Sequence, residues 1–404
     1  MTQPDIAGDG PALRPDVPVE EQVRVAAQAR RRRRRLIAGG SAVLVAAAAL
    51  LAGPADRDPA PPRPPVTPSP AAAPPVGSAP DQVVDVSVGS DSLYALVGSC
   101  AGPEQARECS YRLLTQTRGG RWTRVPLPLP PPGSGNGFSA RLLLTGADTV
   151  TVVDDLRGRA YVTEGGTPVA VLELRDGPPL PAGMPAGLVP ELLGGRVTVL
   201  DPATGLRRPL ATQPQLEVAP RGVVAGPLGD LWAVADPGLR VLVGHSSDGG
   251  RTWRTGTVPG LRPGPGLLQL VPGQDGSVYL IAGRDGPSGP GGLELAELWW
   301  QPGTGGSWRR VSGRPGPRSV GSAVPGRSGL LVTEGGGALW RLSPGGSFER
   351  LPDPVVDGTP VRAGPLSSGA GGRIVSRPAD GIGGALLLVS ADDGDSWLPT
   401  LVPE

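Results

Sequence analysis

A glycine turn followed within a few residues by an aromatic recurs along this chain: GGRW at 119–122, GGRTW at 249–253, GGSW at 305–308, GGSF at 345–348 and GDSW at 394–397. Two weaker relatives, EGGTP at 164–168 and PATGL at 202–206, fill the gaps. The last turn glycines fall at 120, 166, 205, 250, 306, 346 and 394, about 46 residues apart. That period is the length of one four-stranded propeller blade. A sheet this small cannot bury both of its faces alone, so such units stack radially and cover one another.

Upstream of the turns lies a second signature, two apolar runs joined by a Gly-containing turn: VSVGSDSLYALV, LLLTGADTVTVV, VVAGPLGDLWAVA, LLQLVPGQDGSVYLIA and SAVPGRSGLLVTE. Each reads as a β-hairpin. The unit is therefore strand, hairpin, strand, loop, strand, glycine turn, strand. An all-β, seven-bladed β-propeller is expected over residues 81–404, closed by packing the first blade against the last. The third unit, RVTVLDPATGLRRPL, is the most degenerate, and a six-bladed ring is the alternative.

Gly (64) and Pro (51) would suit a disordered chain, but apolar residues at 38% are too many for one, and the short Val/Leu/Ala runs favour strands. No lysine is present, which removes Schiff-base and P-loop chemistry. The single histidine, His245, rules out a multi-histidine metal site and reads as a turn or strand residue. No cofactor is expected. The net charge is +1, and eight arginines and five acids crowd into residues 1–35. The remainder is close to neutral, without the broad basic surface that nucleic acid requires.

The unbroken block Arg30 to Arg35 precedes Leu36 to Gly53, LIAGGSAVLVAAAALLAG, which carries no charge. As a helix this run spans roughly 27 Å, enough for a slightly thinned hydrocarbon core. By the positive-inside rule the arginines stay cytoplasmic and everything after Gly53 is exported. The expected layout is a cytoplasmic tail (1–35), a single transmembrane helix (36–53), a proline-rich disordered stalk (54–80) and an ectodomain. The stalk has eleven prolines and favours extended polyproline II. The alternative is a cleaved signal and a secreted product, to which Arg33-Arg34-Arg35-Leu36-Ile37 bears a faint twin-arginine likeness. Cys100 and Cys109 flank GPEQARE in the first unit, and in an exported domain a local disulfide is the natural reading.

Two turns carry more than glycine and an aromatic. Residues 246–253, SSDGGRTW, match the S-x-D-x-G-x-T-W pattern through Ser246, Asp248, Gly250, Thr252 and Trp253. Residues 390–397, SADDGDSW, match through Ser390, Asp392, Gly394 and Trp397, with Ser396 in place of Thr. The repeat pattern over 81–404 thereby resembles the sialidase-like Asp-box (BNR repeat) propellers. The resemblance implies that these boxes are structural turns lying away from the ligand face. Physical chemistry points the same way: the Asp accepts turn N–H bonds, the Gly takes φ > 0 and the Trp packs the turn onto its blade. Sialidases need an arginine triad, a late Tyr nucleophile with its Glu, and an Asp acid/base. Their Arg-Ile-Pro segment has no counterpart here, and the tyrosines, Tyr94, Tyr111, Tyr161 and Tyr279, include none after Tyr279. No catalytic or metal residues are assigned. The expected function is a non-enzymatic, membrane-anchored module that binds or scaffolds an extracytoplasmic protein or glycan. Its rivals are an exo-sialidase-like glycoside hydrolase and a transmembrane sensor with a cytoplasmic partner.

Overall fold

The structure is a computed structural model, and it describes residues 82–403 apart from short internal stretches, of which 128–139 is the longest. The expected tail, transmembrane helix and stalk lie outside the described residues. Among those described, no helix is long and apolar enough to cross a membrane.

Seven sheets, antiparallel but for one outer strand, form seven blades, each running outward from an inner strand. Blade 1 comprises β1 (Gln82–Val88), β2 (Ser92–Ala101), β3 (Glu108–Thr117) and β4 (Trp122–Val125). Blade 2 comprises β5 (Ala140–Leu144), β6 (Thr149–Asp154), β7 (Arg159–Glu164) and β8 (Thr167–Glu173). The short β9 (Arg175–Asp176) precedes blade 3, whose own strands are β10 (Val189–Leu193), β11 (Arg196–Asp201) and β12 (Leu206–Pro209). Blade 4 holds β13 (Gly222–Ala225), β14 (Leu231–Ala235), β15 (Leu242–Ser246) and β16 (Arg254–Thr257). Blade 5 holds β17 (Leu267–Pro272), β18 (Val278–Asp285), β19 (Leu293–Gln301) and β20 (Arg309–Arg310), with β21 (Ser319–Val320) added beside β19. Blade 6 holds β22 (Ser322–Gly326), β23 (Gly329–Thr333), β24 (Leu339–Leu342) and β25 (Phe348–Arg350). A small hairpin, β26 (Val355–Val356) and β27 (Thr359–Pro360), leads into blade 7, formed by β28 (Ala363–Ser368), β29 (Ile374–Pro378), β30 (Leu386–Ser390) and β31 (Leu398–Leu401).

The seven-bladed propeller is thus the observed fold, and all five sequence hairpins are the inner pairs of their blades. Second strands are sandwiched on both faces, so β14 (LWAVA) is buried at every position, whereas the outer strand β16 (RTGT) is exposed at every position. Among the described residues, apolar side chains gather in seven clusters, one at each junction between neighbouring blades. At about 25 cal/mol per Å² of apolar area, these junctions are the main favourable term in the ring. Blade 7 closes on blade 1 through Val375, Leu387 and Val402 packed against Val83, Val86, Leu93 and Ala95. Arg377 of β29 reinforces that closure by donating to the carbonyls of Val83 and Val84, at 2.6 and 3.0 Å. Burial pulls its guanidinium below the usual value, with the nearby Asp85 carboxylate opposing. No strand is exchanged across this closure among the described residues.

Blade 3 departs from the expected unit. Its marker turn, PATGL, joins the second and third strands, not the third and fourth. The outermost position is taken by β9, which runs parallel to β12 and enters from upstream. The cause is length. Only residues 210–221 separate β12 from the inner strand of blade 4, too few for an outer strand and its return. Asp201 holds the displaced turn by accepting from the Ala203 N–H and the Thr204 hydroxyl, at 2.9 and 2.7 Å.

Candidate functional site

The two Asp-box turns join the third and fourth strands of blades 4 and 7. In the first, Asp248 accepts from the Thr252 N–H at 2.9 Å, the Thr252 hydroxyl at 2.7 Å and the Ser246 hydroxyl at 2.7 Å. The Ser246 oxygen in turn accepts the Gly250 N–H at 2.6 Å. Those donors, led by the Thr252 N–H, hold the Asp248 carboxyl down at about 2. The second turn repeats the pattern: Asp392 accepts from the Ser396 N–H at 2.9 Å, from the Ser396 hydroxyl and from Ser390 at 2.9 Å, and Ser390 accepts the Gly394 N–H at 2.8 Å. The Ser396 hydroxyl leads in lowering the Asp392 carboxyl. Gly250 and Gly394 have φ of 90° and 85°, which a side chain would strain.

Both boxes dock on the preceding blade. The Trp253 indole N–H donates to the Thr212 carbonyl at 3.2 Å, and the Met184 N–H donates to the Gly249 carbonyl at 2.6 Å. Asp393 accepts the Arg327 N–H at 2.8 Å, and Arg341 of blade 6 reaches Asp395 at 2.8 Å. Trp397 caps its own turn, its indole N–H donating to the Gly394 carbonyl at 3.0 Å. The turn aromatics share this habit. Trp122, Trp253, Trp308, Phe348 and Trp397 are half-buried, each against the cluster that joins its blade to the one before. Blades 2 and 3 have no aromatic at that place.

The junction between blades 4 and 5 concentrates unusual chemistry. Trp232 of β14 and His245 of β15 are cross-strand partners whose rings stack with centroids 3.9 Å apart at 19°. Trp308, at the last turn of blade 5, meets Trp232 edge-on at 6.5 Å. Asp230, two residues before Trp232, accepts the Trp232 indole N–H, and the same oxygen stands 3.7 Å from His245 Nε2. Burial alone would raise the Asp230 carboxyl, but the His245 and Trp232 bonds outweigh it and leave it lowered. Its other oxygen, Oδ1, is buried with no hydrogen-bond partner among the described residues.

Blade 5 repeats this device. Glu297 lies two residues before Trp299 and accepts its indole N–H at 2.9 Å, while Arg310, the cross-strand partner of Trp299, stands 3.8 Å from Glu297. In blade 6 the acid is missing. Ala338 lies two residues before Trp340, Arg350 is the cross-strand partner of Trp340, and the buried Trp340 indole N–H has no acceptor among the described residues. The sequence strings Asp-Leu-Trp (230–232), Glu-Leu-Trp (297–299) and Ala-Leu-Trp (338–340) are the signal that could have located the device. His245 is a strand residue, as expected, but it also belongs to this cluster.

The aromatic ledge of His245 and Trp308 is only partly covered: the His245 side chain keeps 27% of its exposure. Stacked rings that are partly open can hold a flat apolar face. Among the described residues no group of three His, Cys, Asp or Glu side chains is arranged to hold a metal ion. Cys100 and Cys109 are direct cross-strand partners in β2 and β3. Their side chains lie outside the described residues.

No protein-family model matches the chain. No curated protein matches it either. Solved structures of propeller type are similar at low identity. A virginiamycin B lyase from Staphylococcus aureus, crystallised with quinupristin, is 13% identical over 80% of this chain and 84% of its own, with a TM-score of 0.34. Kluyveromyces lactis Hsv2 is 10% identical over 80% and 98%, with a TM-score of 0.44. A gluconolactonase from Xanthomonas campestris is 15% identical over 57% and 79%, with a TM-score of 0.35. The fold assignment rests on the strand order itself.

Proposed function

We propose that this chain is a membrane-anchored, extracytoplasmic propeller of the Asp-box kind that binds or scaffolds a protein or glycan without turning it over. In this reading residues 1–35 are cytoplasmic, Leu36 to Gly53 span the membrane, residues 54–80 are the stalk, and Cys100 and Cys109 form a disulfide. The directly opposed register of the two cysteines supports that bond, because cross-strand Cα atoms lie about 4.5–5.5 Å apart, within disulfide range. One observation carries the functional reading. The Asp248 and Asp392 carboxylates are held by donors of their own turns and serve the framework, whereas the blade 4–5 junction leaves the His245 ring, stacked on Trp232, partly open.

The test is a glycan array and a cell-surface pull-down with the purified full-length chain and with Trp308→Ala. Capture that weakens at least about tenfold in the variant supports the proposal. Turnover of a fluorogenic sialoside by the full-length chain would overturn it in favour of a glycosidase. Thiol titration under denaturing, non-reducing conditions is expected to find no free cysteine.

A further inference from the structure

The junction between blades 2 and 3 is built unlike the other six. Among the described residues its apolar cluster has three buried members, Val153, Ala160 and Leu200, where the blade 4–5 junction has twelve. At the other six junctions the inner strands pack closely side by side, but β5 and β10 do not. In place of that contact stands a closed loop of four charges. Arg141 of β5 reaches Asp155 at 3.1 Å and Glu191 of β10 at 2.9 Å, and Arg207 of β12 reaches Glu191 at 2.8 Å and closes on Asp155. The Arg207 and Glu191 side chains are nearly buried, at 14% and 11% exposure, whereas Arg141 and Asp155 keep 35% and 44%. The chain also crosses here, since Arg175 and Asp176 leave blade 2 and pair at the outer edge of blade 3.

We propose that this junction is the opening seam of the ring, where blades 2 and 3 part while the other six junctions stay closed, latched by the four-charge loop. Apolar packing of the kind found at the other junctions is indifferent to salt, but charge pairs with exposed members are screened by it. The latch is therefore more sensitive to ionic strength than the junctions built on apolar packing. Removing one of its nearly buried charges opens the loop and leaves the other with a single partner, which favours opening. The outer strand shared through β9 keeps the parted blades tethered, so opening is local and reversible.

Hydrogen exchange followed by mass spectrometry on the full-length chain tests this. In peptides covering β5 and β10, exchange is expected to be about tenfold faster than in those covering β13 and β17. Raising sodium chloride to about 0.5 M is expected to widen that gap, because the Debye length falls well below 10 Å. Glu191→Gln should accelerate β5, β10 and β12 together by a further factor of about ten and leave the blade 4–5 junction unchanged. Exchange in β5 and β10 as slow as in β13 and β17, and indifferent to salt, would overturn the proposal. So would a Glu191→Gln variant that loosens all seven blades alike. If that variant does not fold, the salt series on the unaltered chain decides.

Discussion

The junctions between blades 4 and 5 and between blades 2 and 3 solve one problem with opposite materials. The first buries twelve apolar residues, Trp232 among them, and its carboxylates accept from indole N–H groups within their own blades. The second buries three apolar residues and spends two carboxylates and two guanidiniums on holding the blades together. Blades 1, 4, 5, 6 and 7 each wedge a turn aromatic into the junction before them, and blades 2 and 3 have none to wedge. The blade 1–2 junction fills that place from its strands, with Tyr94 and Tyr161, but the blade 2–3 junction does not. A propeller thus tolerates a junction poor in hydrophobic contact if a charge network replaces it, at the cost of sensitivity to the solvent.

The contrast is broken most severely by Trp232→Ala. Loss of a 3% exposed indole at the centre of the apolar junction should cost about 3–5 kcal/mol, read as a large fall in thermal midpoint that salt does not alter. Glu191→Gln at the polar junction should cost less, about 1–3 kcal/mol, because the loop is partly solvated, and raising salt should shrink the difference from the unaltered chain. A double-mutant cycle with Arg207→Met should show coupling, whereas a Trp232→Ala and Glu191→Gln pair should be additive.

Asp248→Asn tests the framework turn through pH. The folded Asp248 carboxyl sits at about 2, below its ordinary 3.8, so its contribution is complete above about pH 4 and is lost as pH falls through 2. The variant should be less stable than the unaltered chain at neutral pH by about 1 kcal/mol, and the two should converge towards pH 2 in acid-unfolding curves. The smallest effect is a gain. Ala338→Glu supplies the acceptor that the Trp340 indole N–H lacks and should raise stability by about 0.5–1 kcal/mol, seen as a small rise in midpoint. No rise would mean that the Glu297–Trp299 bond is not transferable between blades.

Much of the ring was legible in the sequence because its signals are local. A hairpin such as VVAGPLGDLWAVA carries its strands and its turn within one short string, and GGRTW or GDSW marks the outer turn of its blade. Blade 3 misled because PATGL has the turn's composition without its position, and nothing local reveals that Arg175 and Asp176 pair with a strand some thirty residues on. The candidate site was half legible. The recurrence of Asp-Leu-Trp and Glu-Leu-Trp stands in the sequence, but its meaning depends on which base lies across the strand, His245 or Arg310. The four-charge loop was not legible at all, since Arg141 and Glu191 are fifty residues apart and meet only when two blades do.

The borrowed outer strand of blade 3 bears on how such a ring can be edited. A blade made of one continuous stretch can be copied, deleted or exchanged as a cassette. Blade 3 cannot, because its edge is encoded before β10 begins, in the tail of blade 2. Cutting between Glu173 and Arg175 would strip one blade of its rim while leaving the other whole. The smallest portable piece of this part of the molecule is therefore two blades long.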